Sequence, residues 1–207
     1  MTKRNHSGYD LLEKKYITGS WKEHVFEFGT SLPALGVRTN GQKKMIEPAV
    51  PGMIMTIDHK SFDQSKENTF HRLYAPNSPH TIAKKSRDCK SCHSNPEALG
   101  YGRGELLYVV DKQNGRWNFI PHYENNKNDN LPEDAWIPFL KEPKNKVFTT
   151  RTNFRPLSVK EQQKMLRVGA CLQCHDQNSL FVKGFLYNNF EDILRKRTKA
   201  CILPKYY

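Results

Sequence analysis

The sequence predicts an α+β fold with much irregular structure, and three observations carry that expectation. Two runs of alternating apolar residues, 105–110 and 116–120, flank Asp111-Lys112-Gln113-Asn114-Gly115, the pattern of a β-hairpin. Helix start signals stand at Asn95-Pro96, with Gly100 to close a single turn, and at Ser158, with Glu161 three residues on as a capping box. Between the N-terminus and these elements, Pro33, Gly36, Gly41, Pro48, Pro51 and Gly52 leave turns and extended pieces and no room for a long helix.

Taken in order, residues 21–28 read as a short strand with Trp21 and Val25 or Phe26 turned inward, and residues 61–68 have the composition of a loop. After the hairpin, residues 122–147 are rich in Asn, Asp, Lys and Pro and predict a long irregular connection. The helix opened by Ser158 places Leu166 and Ala170 on one face and ends near Cys171. A last helix is expected over 190–199, with Asn189 as cap, acids in its first turn and bases towards its end, in keeping with the helix dipole. The expected organisation is an N-terminal strand and loop region, 1–70, followed by a region 71–207 that holds the chemistry.

Composition narrows the function. Of the 207 residues, 33 are Lys or Arg and 21 Asp or Glu, a formal charge of +12, which favours an acidic partner. The bases are scattered and form no run of the kind that marks a nucleic-acid site, so nucleic acid is not expected as a partner. Apolar residues are only 37% while aromatics reach 11%, so something besides aliphatic side chains is expected to fill the core. No apolar stretch approaches the roughly 20 residues that span a bilayer, and the basic N-terminus lacks the apolar run of a secretory signal. A membrane surface remains open as a partner, but not a spanning role.

Five cysteines are present: Cys89, Cys92, Cys171, Cys174 and Cys201. Four fall into Cys89-Lys90-Ser91-Cys92-His93 and Cys171-Leu172-Gln173-Cys174-His175, both of the Cys-x-x-Cys-His form that attaches a c-type haem. Two thiols three positions apart can bond to the two vinyl groups on one edge of a porphyrin, and the His that follows supplies an iron ligand. Zinc bound by two Cys pairs and a thioredoxin-like redox pair use the same spacing, but neither calls for a His after both second cysteines. Cys201 is left as a free thiol. Two covalent c-type haems are therefore the expected cofactors, with Cys89, Cys92, Cys171 and Cys174 attaching them and His93 and His175 on iron; the expected fold becomes a haem-centred core wrapped by short helices and a hairpin.

The stretch 74–81, the motif run 87–93 and the segment 98–102 resemble the haem-binding region of bacterial multihaem c-type cytochromes. Residues 131–136, 155–157 and 168–176 are similar to the C-terminal end of such proteins, and 33–37 and 51–55 also resemble that group. The resemblance implies an exported protein, periplasmic or extracellular, that passes electrons within a larger assembly of cytochrome chains. Unlike members of that group, this chain shows no signal sequence and only two haem motifs, as expected of a processed product or of the C-terminal part of a larger cytochrome.

Two irons need sixth ligands. His80, in the resembling stretch and stiffened by Pro79, is favoured for one; His59, His71, His24 and His122 compete for the other, and His6 is the weakest candidate. Met53, Met55 and Met165 are alternatives, although the first two lie in an apolar run. Bis-His ligation of both irons leaves no vacant position for substrate, so electron transfer is the expected function and no catalytic residue is assigned. The alternative is a catalytic haem, as in a dihaem peroxidase or a multihaem nitrogen-compound oxidoreductase, with one open iron and an acid or base drawn from Glu97, Tyr101, Arg103 or an unligated His.

Overall fold

The computed structural model describes residues 2–10, 15–23, 33–60, 67–77, 84 and 87–206, with the first two strands and Met53 described by their backbone. The elements in chain order are β1 (Thr2–Asp10), β2 (Lys15–Glu23), β3 (Ala34–Asn40), β4 (Lys43–Asp58), β5 (Thr69–Pro76), α1 (Lys90–His93), α2 (Pro96–Leu99), β6 (Gly104–Asp111) and β7 (Asn114–Pro121). They continue with β8 (Phe154–Pro156), α3 (Val159–Cys171), α4 (Leu180–Lys183), a 3₁₀ turn (Gly184–Leu186) and α5 (Phe190–Arg195). Strands dominate the first half and short helices the second, an α+β chain with antiparallel sheets.

Among the described residues, six strands form one antiparallel sheet around β4. Ile57 pairs with Trp21 of β2 on one side and Thr69 of β5 on the other, and Ala49 pairs with Ala34 of β3 and Pro76 of β5. β3 and β2 therefore occupy successive stretches of the same edge of β4, while β5 covers the opposite edge. A 16-residue strand holding Pro48, Pro51 and Gly52 was not legible in a region that reads as broken. The register slips between Pro51 and Met53, so the strand absorbs its Pro and Gly at an irregularity instead of ending there. Of the strand expected at 21–28, residues 21–23 end β2, which begins earlier than expected, and 24–28 lie outside the described residues. Residues 70 and 71, the expected regional boundary, are neighbours within β5.

The core of the described residues is largely aromatic. Tyr74 stacks on Trp136 at 4.7 Å between centroids, and Trp136 stacks in turn on Phe154 at 5.7 Å. Tyr101 meets Phe139 edge-on at 5.1 Å. These rings, with Leu99, Ile137 and Leu166, form one cluster that joins the sheet to α2 and α3. The irregular connection is pinned to the sheet by a buried Arg72, whose guanidinium pairs with Asp129 and donates to the carbonyls of Pro132, Glu133 and Ala135. Such a charge is stable under burial because nearly every donor has an oxygen.

The hairpin forms as expected but turns one step earlier. Lys112 and Gln113 make the two-residue turn, with Lys112 at φ 54°. Gly115 serves a different purpose: it is buried in β7, a side chain there would strike the Tyr108 hydroxyl, and its carbonyl accepts from the Lys205 amide at 3.1 Å. The C-terminal segment is thus laid along the hairpin, where the Tyr108 hydroxyl also donates to the Ile202 carbonyl at 2.6 Å. The final helix stops at Arg195, short of the expected 199, because the amides of Lys196 and Arg197 turn back onto Ile193 and Leu194.

Candidate functional site: two Cys-x-x-Cys-His turns

Both motifs adopt the same backbone. In the first, the amides of Cys92 and His93 donate to the Cys89 carbonyl at 3.3 and 2.9 Å; in the second, those of Cys174 and His175 donate to the Cys171 carbonyl at 3.2 and 3.0 Å. Each motif is therefore one helical turn, and spacings of three and four residues put the two thiols and the imidazole on one face of it. The first turn is started by Asp88, whose carboxylate accepts from the Ser91 amide at 2.7 Å. The second continues α3, whose capping box is formed as expected: the Ser158 amide donates to Glu161 at 2.8 Å and the Glu161 amide to the Ser158 hydroxyl at 3.4 Å.

The fold brings the two turns together. α1 lies across α3 at Gly169, where any side chain would strike the His93 carbonyl oxygen. From the other motif, the Gln177 side-chain oxygen accepts the Cys89 amide at 3.0 Å. His93 Nδ1 lies 3.0 Å from the Met165 carbonyl of α3. A carbonyl only accepts, so Nδ1 carries the proton and the Nε2 lone pair is left for a ligand role. Burial holds His93 below the ordinary imidazole pKa, against the pull of that hydrogen bond, which keeps the ring neutral as metal ligation requires. The next carbonyl of α3, Leu166, accepts from Trp117 Nε1 at 3.0 Å, so helix, hairpin and first motif are locked at one place.

The second turn has a different setting. Cys171 is buried at 3% exposure while Cys174 is exposed. Burial, reinforced by the nearby thiol of Cys201, pushes Cys171 up to about 11, so it is protonated at neutral pH. Cys201, which the sequence left without a role, is thus a neighbour of the second motif. The ring of His175 lies 4.3 Å from Phe181, which leads through Phe185 at 5.1 Å to Phe190 at 4.9 Å.

Of the expected distal ligands, His59 and His71 are buried at the β4–β5 pair, His71 opposite Met55, and His122 is exposed just after the hairpin. His80 and His24 lie outside the described residues, and β1 is described at His6 only by its backbone. Glu97, Tyr101 and Arg103 have structural roles: Tyr101 donates to buried Gln162 at 2.8 Å, and Arg103 and Glu97 approach to 3.9 Å. Sequence reasoning offered Met165 as an iron ligand, whereas in the structure its main-chain carbonyl meets His93; it missed Gly169, Trp117 and Gln177, which serve residues far from them in the chain and leave no local signature.

The donor set fits a c-type haem at each turn: two thiols and an imidazole on one helical face, the first imidazole fixed as the ligating tautomer, and a buried, unpartnered Ser94 hydroxyl beside it. Among the described residues no three His, Cys, Asp or Glu side chains converge as a metal-binding group. No described helix is long and apolar enough to cross a membrane. In comparison with protein families, curated proteins and solved structures, the chain matches none.

Proposed function

We propose that the chain binds two covalent c-type haems and relays single electrons between them, as part of a larger periplasmic or extracellular multihaem cytochrome. The observation that carries this reading is the pair of identical Cys-x-x-Cys-His turns in contact through Gly169 and Gln177. A c-type haem supplies a one-electron iron couple whose potential follows its axial ligands and surroundings.

The chain's own residues orient and tune. Cys89 and Cys92 would hold the first group by its edge, with His93 aimed by the Met165 carbonyl; a proton held at Nδ1 by that carbonyl makes Nε2 a stronger donor. Cys171, Cys174 and His175 would hold the second. Contact between the turns at Gly169 and Gln177 would hold the two groups to neighbouring parts of the fold. His59 and His71, both buried, and His80, outside the described residues, are the proposed sixth ligands, with His122 as a further candidate. Ligation of each iron by two histidines would leave no position for substrate.

Intact mass should exceed that of the polypeptide by two haems and survive acid–acetone extraction, and low-temperature electron paramagnetic resonance should show low-spin ferric signals. A preparation that holds zinc and no porphyrin overturns the reading, while a stoichiometric high-spin signal with rapid carbon monoxide binding moves it to the catalytic alternative.

A further inference from the structure

Directly after the second motif, α4 and the 3₁₀ turn present Leu180, Leu186 and Tyr187 at 89%, 78% and 84% exposure. Large apolar side chains so exposed and so close in sequence are of the kind that marks a contact surface. The segment is joined to the site: Phe181 of α4 meets the His175 ring, and Phe185 of the 3₁₀ turn meets Phe181. Cys174, the exposed thiol of the motif, belongs to the same stretch of chain.

The chain on and after these residues is basic. Exposed Lys183 lies in α4 and exposed Arg195, Lys196, Arg197 and Lys199 follow it in the chain, opposed by exposed Asp176, Glu191 and Asp192. Arg195 spends its charge partly on Asp192 at 3.2 Å and Glu191 is held by Arg167 at 2.8 Å, which leaves the remaining bases in excess. A second copy of this chain would bring its own +12 charge to the contact, so self-association is opposed. An acidic surface is attracted.

We propose that the α4 to 3₁₀ face is the docking surface for an acidic one-electron partner protein, whose apolar centre covers Leu180, Leu186 and Tyr187 while its carboxylates meet the surrounding bases. This rests on the electron-transfer reading and adds the port through which electrons enter or leave: the second motif, by way of the face that touches His175. Apolar contact at the centre sets the docked geometry, and the basic rim sets the rate of encounter.

The experiment uses the haem-loaded chain and the double variant Leu180→Asp/Leu186→Asp, two exposed positions whose change leaves the core intact. The probe is a plant-type [2Fe–2S] ferredoxin, an acidic one-electron donor, with photoreduced lumiflavin as a small uncharged donor for control. Reduction by ferredoxin should slow by about tenfold or more as salt screens the encounter, and the variant should slow it about tenfold at low salt. Lumiflavin should reduce both proteins equally. An unchanged ferredoxin rate in the variant overturns the docking surface. Equal slowing with lumiflavin also overturns it, because the leucines then cover the haem itself. Loss of binding to phosphatidylserine vesicles with ferredoxin reduction intact assigns the face to a lipid surface instead. A chain that carries no haem at all sinks the electron-transfer reading, an outcome visible in the absorption spectrum before any rate is compared.

Discussion

At the first Cys-x-x-Cys-His turn the chain closes in from several sides: α3 supplies a carbonyl for His93 and a side-chain-free surface at Gly169, and Gln177 accepts from the Cys89 amide. At the second, an identical turn emerges from the end of α3 with its outer thiol exposed and its imidazole against a column of phenylalanines that reaches the surface. The backbone chemistry is the same and the surroundings differ: both thiols of the first turn are half-buried, while the second has one buried and one exposed. Ligand geometry at a cross-braced turn is set by the fold, whereas a turn with one thiol exposed exchanges more readily with whatever lies outside. In the proposed relay the first motif is the internal station and the second the external one.

Removing the thiols should break the comparison most completely. Cys171→Ala/Cys174→Ala should lower the intact mass by one haem and leave the other attached, and Cys89→Ala/Cys92→Ala should do the reverse. The second pair should also cost more stability, read as a larger fall in thermal midpoint, because α1 is wedged between α3 and α2. Equal falls for the two pairs would mean that the difference in environment carries no energetic weight.

Gly169→Ala sharpens the contrast. On an exposed helix the change would gain about 1 kcal/mol in helix propensity. Here the added methyl meets the His93 carbonyl oxygen, so a net loss of about 1–3 kcal/mol is expected from overpacking. Spectroscopic change should be confined to the haem of the first motif. A stabilised protein would show that α1 and α3 are not in the contact described.

Thiol reactivity gives a milder reading of the same asymmetry. In the unloaded, reduced chain, iodoacetamide should modify Cys174 first, the half-buried Cys89 and Cys92 next and Cys171 last, since Cys171 is both buried and held protonated. Mass spectrometry of timed quenches reads the order, and early modification of Cys171 would contradict its burial.

What the sequence made legible were features written in neighbouring residues. The Asn95 cap, with its side chain accepting from the Ala98 amide at 2.9 Å, the Ser158–Glu161 box and the hairpin all lie within a few positions of their signals. The 16-residue β4 was hidden because its Pro and Gly read locally as breaks, while two of its partners, β2 and β5, are reached only across longer connections. The aromatic core was legible only as a shortage of aliphatic residues. At the site, both motifs could be read and the contacts that join them could not, because they depend on a glycine, a main-chain carbonyl and a glutamine far from the residues they serve.

The smallest expected effect concerns the start of α3, the helix that both motifs share. Arg155 donates to both carboxylate oxygens of Glu161 at 2.7 and 2.8 Å, and that hydrogen-bonded pairing, helped by Ser158, holds the Glu161 carboxyl at about 2, below its ordinary value of 4.5. A carboxyl lowered in the folded state contributes stability in full above its unfolded pKa and loses it as pH falls towards the folded value. Between about pH 4.5 and pH 2 the unfolded chain takes up the proton first, so the contribution of this pair should drain away across that window. The side chain is partly exposed, at 29%, so solvent screens the pairing and only a modest change is expected. Glu161→Gln, which keeps an acceptor for the cap but not the charge, should flatten that part of the pH dependence and shift the thermal midpoint little at pH 7. An unaltered acid limb in the variant would place the acid sensitivity elsewhere and leave the α3 cap without an electrostatic share in holding the two motifs together.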